Sequence, residues 1–190
     1  MMTFVNMEAK GLTILPTHRV VHGLKDFDTA AFLKRAAEYF DVRPVSPASD
    51  VTGILDELNE AGKTGTSFVA VTRTGSHLLT AKKAAIEARL TDQPERQRRL
   101  DVVQLHSIVL EDVLEISAQA VLDQSHLRYV REAADAMQQV RAGDADVAYL
   151  MNPVTLDQLR EVAFAGDVMP QKSTDFYPKL LSGLTIYALD

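Results

Sequence analysis

Cysteine is missing from this chain of 190 residues, which removes disulfides, thiolate metal sites and cysteine nucleophiles together. That absence fits a reducing cytoplasm, the expected location. No apolar stretch approaches the roughly 18 residues of a membrane span. The opening MMTFVNMEAK lacks the basic and long apolar regions of a signal peptide. A general basic face is lacking too: 20 lysines and arginines against 26 acidic residues leave a net charge of -6. Broad nucleic-acid binding and anionic-membrane binding, which need such a face, are not expected, although local basic pockets are compatible with that balance. No repeat of fixed period or low-complexity tract occurs. No calcium loop, zinc helix or dinucleotide fingerprint is present, so the sequence calls for no cofactor and no metal.

What is there is an ordinary globular composition, 46% hydrophobic and 24% charged. It is enough for one core over 1–190, or for two lobes meeting near 91–100. Strands are expected at 2–7 and 12–22, the second interrupted by Pro16 and therefore at an edge or bulged. Asp26 or Asp28 caps a helix running to about Phe40. A second helix follows Ser49 and Asp50, with Val51, Ile54, Leu55 and Leu58 on one face and Gly62 at its end. Residues 67–72 and 77–82 form a hairpin across Arg73-Thr74-Gly75-Ser76. Residues 93–99 form an exposed connection or a frayed helical turn, and a helix opens at Asp101 with Gln104 placed as in a capping box. Strand and helix then alternate. A strand at 127–130 precedes a helix closed by Gly143, and a strand at 147–151 precedes a helix opened by Thr155 and Gln158. A last strand is expected at 184–189. This order predicts an α+β fold, a mixed β-sheet with amphipathic helices packed on it.

Two segments carry candidate chemistry. In Pro16-Thr17-His18-Arg19, followed by His22, a hydroxyl, an imidazole and a guanidinium are suited to an anion. The competing reading is a polar edge strand whose histidines satisfy backbone groups. A metal on His18 and His22 would need a third ligand, and none is visible. In 169–179, Lys172, Ser173, Thr174 and Lys179 offer cations and hydroxyls. Phe176 and Tyr177 line a cleft or, on the plainer reading, pin the loop to the core. No glycine loop precedes Lys172-Ser173-Thr174, so this is not a phosphate-binding P-loop. Elsewhere, Ser125, His106 and Asp123 lack the spacing of a triad. His106 reads as a buried helix histidine with its hydrogen bonds satisfied, and Arg96, Arg98 and Arg99 as a solvated face.

The strings GLTILPTHRVVHGL, LDVVQLHSIVLEDVL, DVAYLMNPVTLDQL and GDVMPQKSTDFYPKLLSGL resemble the family called domain of unknown function 1015. The resemblance implies a longer chain of which this one looks like the C-terminal half. The other half would carry an Asp-Gly-His-His-Arg motif similar to that of ParB-like and sulfiredoxin-like proteins, which is not found here. Relatives of that fold include nucleotide-using enzymes. Two functions stay open. One is a binding or half-active-site domain for a small phosphate- or carboxylate-bearing ligand, held by Thr17, His18, Arg19, Lys172, Ser173, Thr174 and Lys179, with His22, Phe176 and Tyr177 lining the cleft. The other is a non-catalytic interaction module completed by self-association through an exposed strand edge, or by the other half.

Overall fold

Two segments, Ser67–Thr72 and Val147–Met151, have every residue buried. The apolar runs inside them, Phe68 to Val71 and Val147 to Met151, fit strands covered on both faces. Around them the computed structural model, which describes residues 6, 11–46 and 49–179, arranges a sheet and its helices. The expected strands at 2–7 and 184–189 lie almost wholly outside the described residues.

The strands are β1 (Thr13–Leu15), β2 (His18–Val21), β3 (Phe40–Pro44), β4 (Ser67–Thr72), β5 (Gly75–Ala81), β6 (Leu127–Val130), β7 (Val147–Met151) and β8 (Asp175–Tyr177). Six of them form a sheet in the order β3-β5-β4-β7-β2-β6, and β1 pairs with β8 in a separate ribbon. The α+β architecture with helices on a sheet is as expected. Each described pairing is antiparallel, so the sheet lacks, among the described residues, the parallel component of a mixed sheet.

Alternation along the strands divides the core in two. Val21, Phe68, Ala70, Leu79 and Tyr149 face one side, with Phe32 and Ala36 of α1 (Thr29–Ala36) and Ile86 of α3 (Lys83–Arg89). Val20, Val69, Val71 and Leu150 face the other. There they meet Ile54 and Leu58 of α2 (Val51–Gly62) and Met137 and Val140 of α7 (Ala133–Ala142).

Local signals act as their chemistry requires. Asp28 and Asp50 cap α1 and α2 by accepting from Ala31 N and Gly53 N. Thr155 and Gln158 form a reciprocal capping box on α8 (Leu156–Phe164). Gly143 ends α7 at φ 86°, a left-handed conformation that glycine adopts without a Cβ penalty.

Other expectations change. The helix from Asp28 ends at Ala36, and β3 begins at Phe40. Of the two readings of residues 93–99 the helical turn holds, as α4 (Glu95–Arg98), and α5 (Asp101–Gln104) follows it. Asp101 is not a cap: Leu100 occupies the cap position. From Leu105 to Val113 the helix widens to π geometry, with Leu105, Ile108, Val109, Leu110 and Val113 buried. α6 (Ala118–Leu122) follows. Among the described residues no helix is long and apolar enough to cross a membrane.

Candidate functional site

Pro16 and Thr17 split the expected long strand into β1 and β2, and the split places β2 in the large sheet and β1 in the ribbon. Proline cannot donate to a ladder, so pairing is interrupted there. At this break opens a cavity of about 710 Å3. Its wall is contributed by Thr17 and Arg19, the end of α2 and the Thr64-Gly65-Thr66 turn, one side of α3, α4 and α5, the chain leaving β7, and Ser173.

Arg19 is the centre of this wall. It projects to the same face as Val21 and is 2% exposed. One terminal nitrogen donates to Thr17 O and the other to Lys172 O at 3.2 Å. Its guanidinium lies 5.5 Å from the centre of the Tyr129 ring, a cation–π distance. Its Nε is buried without a hydrogen-bond partner among the described residues. Burial pulls its pKa down to about 10, partly opposed by Tyr129. Lys172 stands at φ 57°, a left-handed conformation uncommon outside glycine, with its carbonyl turned to Arg19.

Although the whole chain is acidic, the wall holds Arg19, Lys63, Lys83, Arg98 and Arg99 against Glu87, Glu95 and Asp101. Lys63 pairs with Glu60 at 2.5 Å, Lys83 with Glu87 at 3.8 Å, and Arg99 with Glu95. Arg19 and Arg98 make no ion pair among the described residues. The Nε of Arg98 is likewise buried and unpartnered among them.

Asp101 keeps its carboxyl against Thr66, whose hydroxyl donates to it. By surface it is half-buried, yet the packing around the carboxyl is dense enough to push its pKa up to about 7, with the Thr66 bond pulling the other way. Gln104 donates through Nε2 to Arg98 O at 2.7 Å, and its Oε1 has no partner among the described residues. Behind the wall, burial and then the Arg19 charge bring His106 down to about 3.

The segments named from sequence meet here, but not with all their side chains. Thr17, Arg19 and Ser173 line the cavity, and Lys172 reaches Arg19 through its backbone. His18 leaves the strand on the opposite face from Arg19, as alternation demands. Its Nδ1 accepts from Met151 N at 3.1 Å, and burial lowers its pKa to about 4. His22 lies beyond the strand beside His126, ring centres 6.4 Å apart. Lys179 pairs with Asp175. Phe176 faces Ile14 across the ribbon, Tyr177 is 56% exposed, and Thr174 precedes β8 without reaching the wall. In the basic run read as a solvated face, no residue of α4 is buried and Arg99 stays largely exposed, while Arg98 and Arg99 also line the cavity. Asp101 and Gln104 read locally as a capping box and Arg98 as surface charge; their place in the cavity, with Thr66, depends on which strand ends lie opposite them. Among the described residues no group of three histidines or carboxylates is placed to hold a metal.

Residues 1–103 match the family described as "Protein of unknown function (DUF1015)". The chain belongs to the DUF1015 family. The match covers β1 to β5, α1 to α4 and the start of α5, and so most of the cavity wall. No curated protein matches this DUF1015 chain.

Among solved structures it is similar to a conserved hypothetical protein from Pyrococcus furiosus. The TM-score is 0.51 at 15% identity, over 90% of this chain and 59% of that one. It is also similar to a mutant free serine kinase in complex with AMP (TM-score 0.51, 13% identity, 90% of this chain, 57% of that one). A third similarity is to a mutant free serine kinase in complex with ADP (TM-score 0.50, 14% identity, 92% and 57%). At such identities the likeness is one of fold, and the DUF1015 chain spans less than three fifths of the structures it matches.

Proposed function

We propose that the cavity binds a small anionic ligand bearing a phosphate or carboxylate, and that a nucleotide is the class best supported. The observation that carries this reading is Arg19. A guanidinium 2% exposed, with only backbone carbonyls for hydrogen-bond partners among the described residues, holds a buried positive charge with no counter-anion there. An uncompensated buried charge costs several kcal/mol, and an anion seated against it removes that cost.

Arg98 adds a second guanidinium with no ion pair among the described residues, and the fork of each side chain matches phosphate or carboxylate oxygens. Thr17 and Ser173 supply hydroxyls at the same wall. A volume of about 710 Å3 is within the range of small-molecule sites. The complexes of a similarly folded kinase with AMP and ADP support a nucleotide here.

Calorimetric titration with AMP, ADP and inorganic phosphate tests the proposal. Binding of at least one is expected, and Arg98→Gln weakens it tenfold or more. A charge-assisted hydrogen bond contributes about 1.5–3 kcal/mol, and tenfold corresponds to about 1.4 kcal/mol. A cooperatively folded protein giving no heat with any of the three would sink the reading.

A further inference from the structure

The two arginines account for an anion, but the same wall also carries acceptors that an anion alone does not satisfy. Gln104 is 5% exposed, and its amide orientation is fixed by chemistry. The group facing Arg98 O at 2.7 Å must be a donor and is therefore the nitrogen, so the side-chain oxygen is the free end. That oxygen is buried and has no partner among the described residues, on a residue that lines the cavity. Asp101, three residues earlier, lines the cavity as well. Its carboxyl lies beside Thr66 and keeps acceptor lone pairs whether or not it carries its proton.

A bare anion would leave the Gln104 oxygen unsatisfied and, wherever Asp101 is ionised, would place two negative charges side by side. Both are costly away from water. A ligand with a donor next to its anion satisfies the whole wall.

Resting on the anion-binding reading above, we infer that the ligand is an anion carrying a hydroxyl or ammonium donor close to its charged group, and that this donor is received by Gln104 Oε1 and the Asp101 carboxyl. Arg19 and Arg98 hold the charge, while Gln104 and Asp101 choose among anions. A hydroxy acid, a polyol phosphate and the ribose phosphate of a nucleotide share this chemistry.

Matched pairs that differ by their hydroxyls separate these sources: L-lactate against propionate, glycerol 3-phosphate against propyl phosphate, and AMP against its 2′,3′-dideoxy form. Each is titrated calorimetrically into the intact chain. In at least one pair the hydroxylated member is expected to bind tenfold more tightly or better. Gln104→Met, which keeps the length and removes the acceptor, should narrow that preference to about twofold and leave the hydroxyl-free member's affinity in place. Asp101→Ala is a second variant that should narrow the same preference, here by raising the affinity of the hydroxyl-free member once the neighbouring carboxyl is gone.

If members of a pair bind but no pair differs by more than twofold, the donor-reading role is overturned while anion binding stands. A preference that survives both substitutions in cooperatively melting proteins overturns the assignment to these two residues. Silence from every anion instead removes the anion-binding reading, and this inference with it.

Discussion

At Asp101 burial disfavours the carboxylate, so the folded chain holds a proton that the unfolded chain releases near pH 4. A folded pKa above the unfolded one means stability that is fully present at acid pH and lost as pH rises toward 7. Asp101→Asn is therefore expected to raise stability at pH 8, by up to about 4 kcal/mol, and to change little at pH 4. Urea unfolding at the two pH values measures it.

His18 and His106 act in the opposite sense. Their folded values of about 4 and about 3 lie below the usual 6.5, so their contribution is present above pH 6.5 and lost as pH falls. At pH 5 each costs roughly 2 kcal/mol. His106→Leu should reduce the difference in stability between pH 7 and pH 5 by about that amount, again read by urea unfolding. Part of this scale was open to sequence reasoning: His106 lies on a helix with its Nε2 buried, though unpartnered among the described residues rather than satisfied, and Thr17 and Arg19 stand at a proline break. Which face each side chain takes was not, since Thr17 and Arg19 share a parity that His18 does not.

Among the elements, the end of α2 bears most directly on the cavity. A Cβ at Gly62 would lie 2.3 Å from Asn152 Nδ2, which donates to Leu58 O at 3.2 Å. Gly62→Ala is expected to break that bond and push Asn152 aside. The predicted cost is about 1 kcal/mol of stability, together with altered ligand affinity. Thermal melting and a titration with AMP check the two effects. The capped helices and the β4–β5 hairpin were legible because caps and tight turns are local chemistry. β3 and β8 were not, because each exists through a partner far along the chain, β5 and β1 respectively. The π-helical segment is similar: its apolar residues fit a helix of either pitch, and the packing around them selects the wider one.

For the molecule as a whole, the sheet buried on both faces forms a firm base, and the cavity lies at one end of it, where β7 leaves and β2 and β4 enter. A ligand there touches segments from residue 15 to residue 173, so binding is coupled to global folding. Saturation with a ligand at a hundred times its Kd should stabilise the fold by about 2.7 kcal/mol. Thermal melting with and without AMP tests this, and an unchanged midpoint at saturation contradicts it. Surface ion pairs such as Arg35–Glu115 and Lys83–Glu87 contribute little to the base, since exposed pairs are typically worth under about 1 kcal/mol.

One guanidinium fastens two carbonyls from distant parts of the chain, one just before β2 and one on the approach to β8. Truncating Arg19 would loosen the seam between sheet and ribbon even in a protein that never meets a ligand. Losses measured in such a variant would therefore mix a weakened joint with a missing charge. Arg98, whose side chain fastens nothing among the described residues, is the cleaner lever on recognition itself.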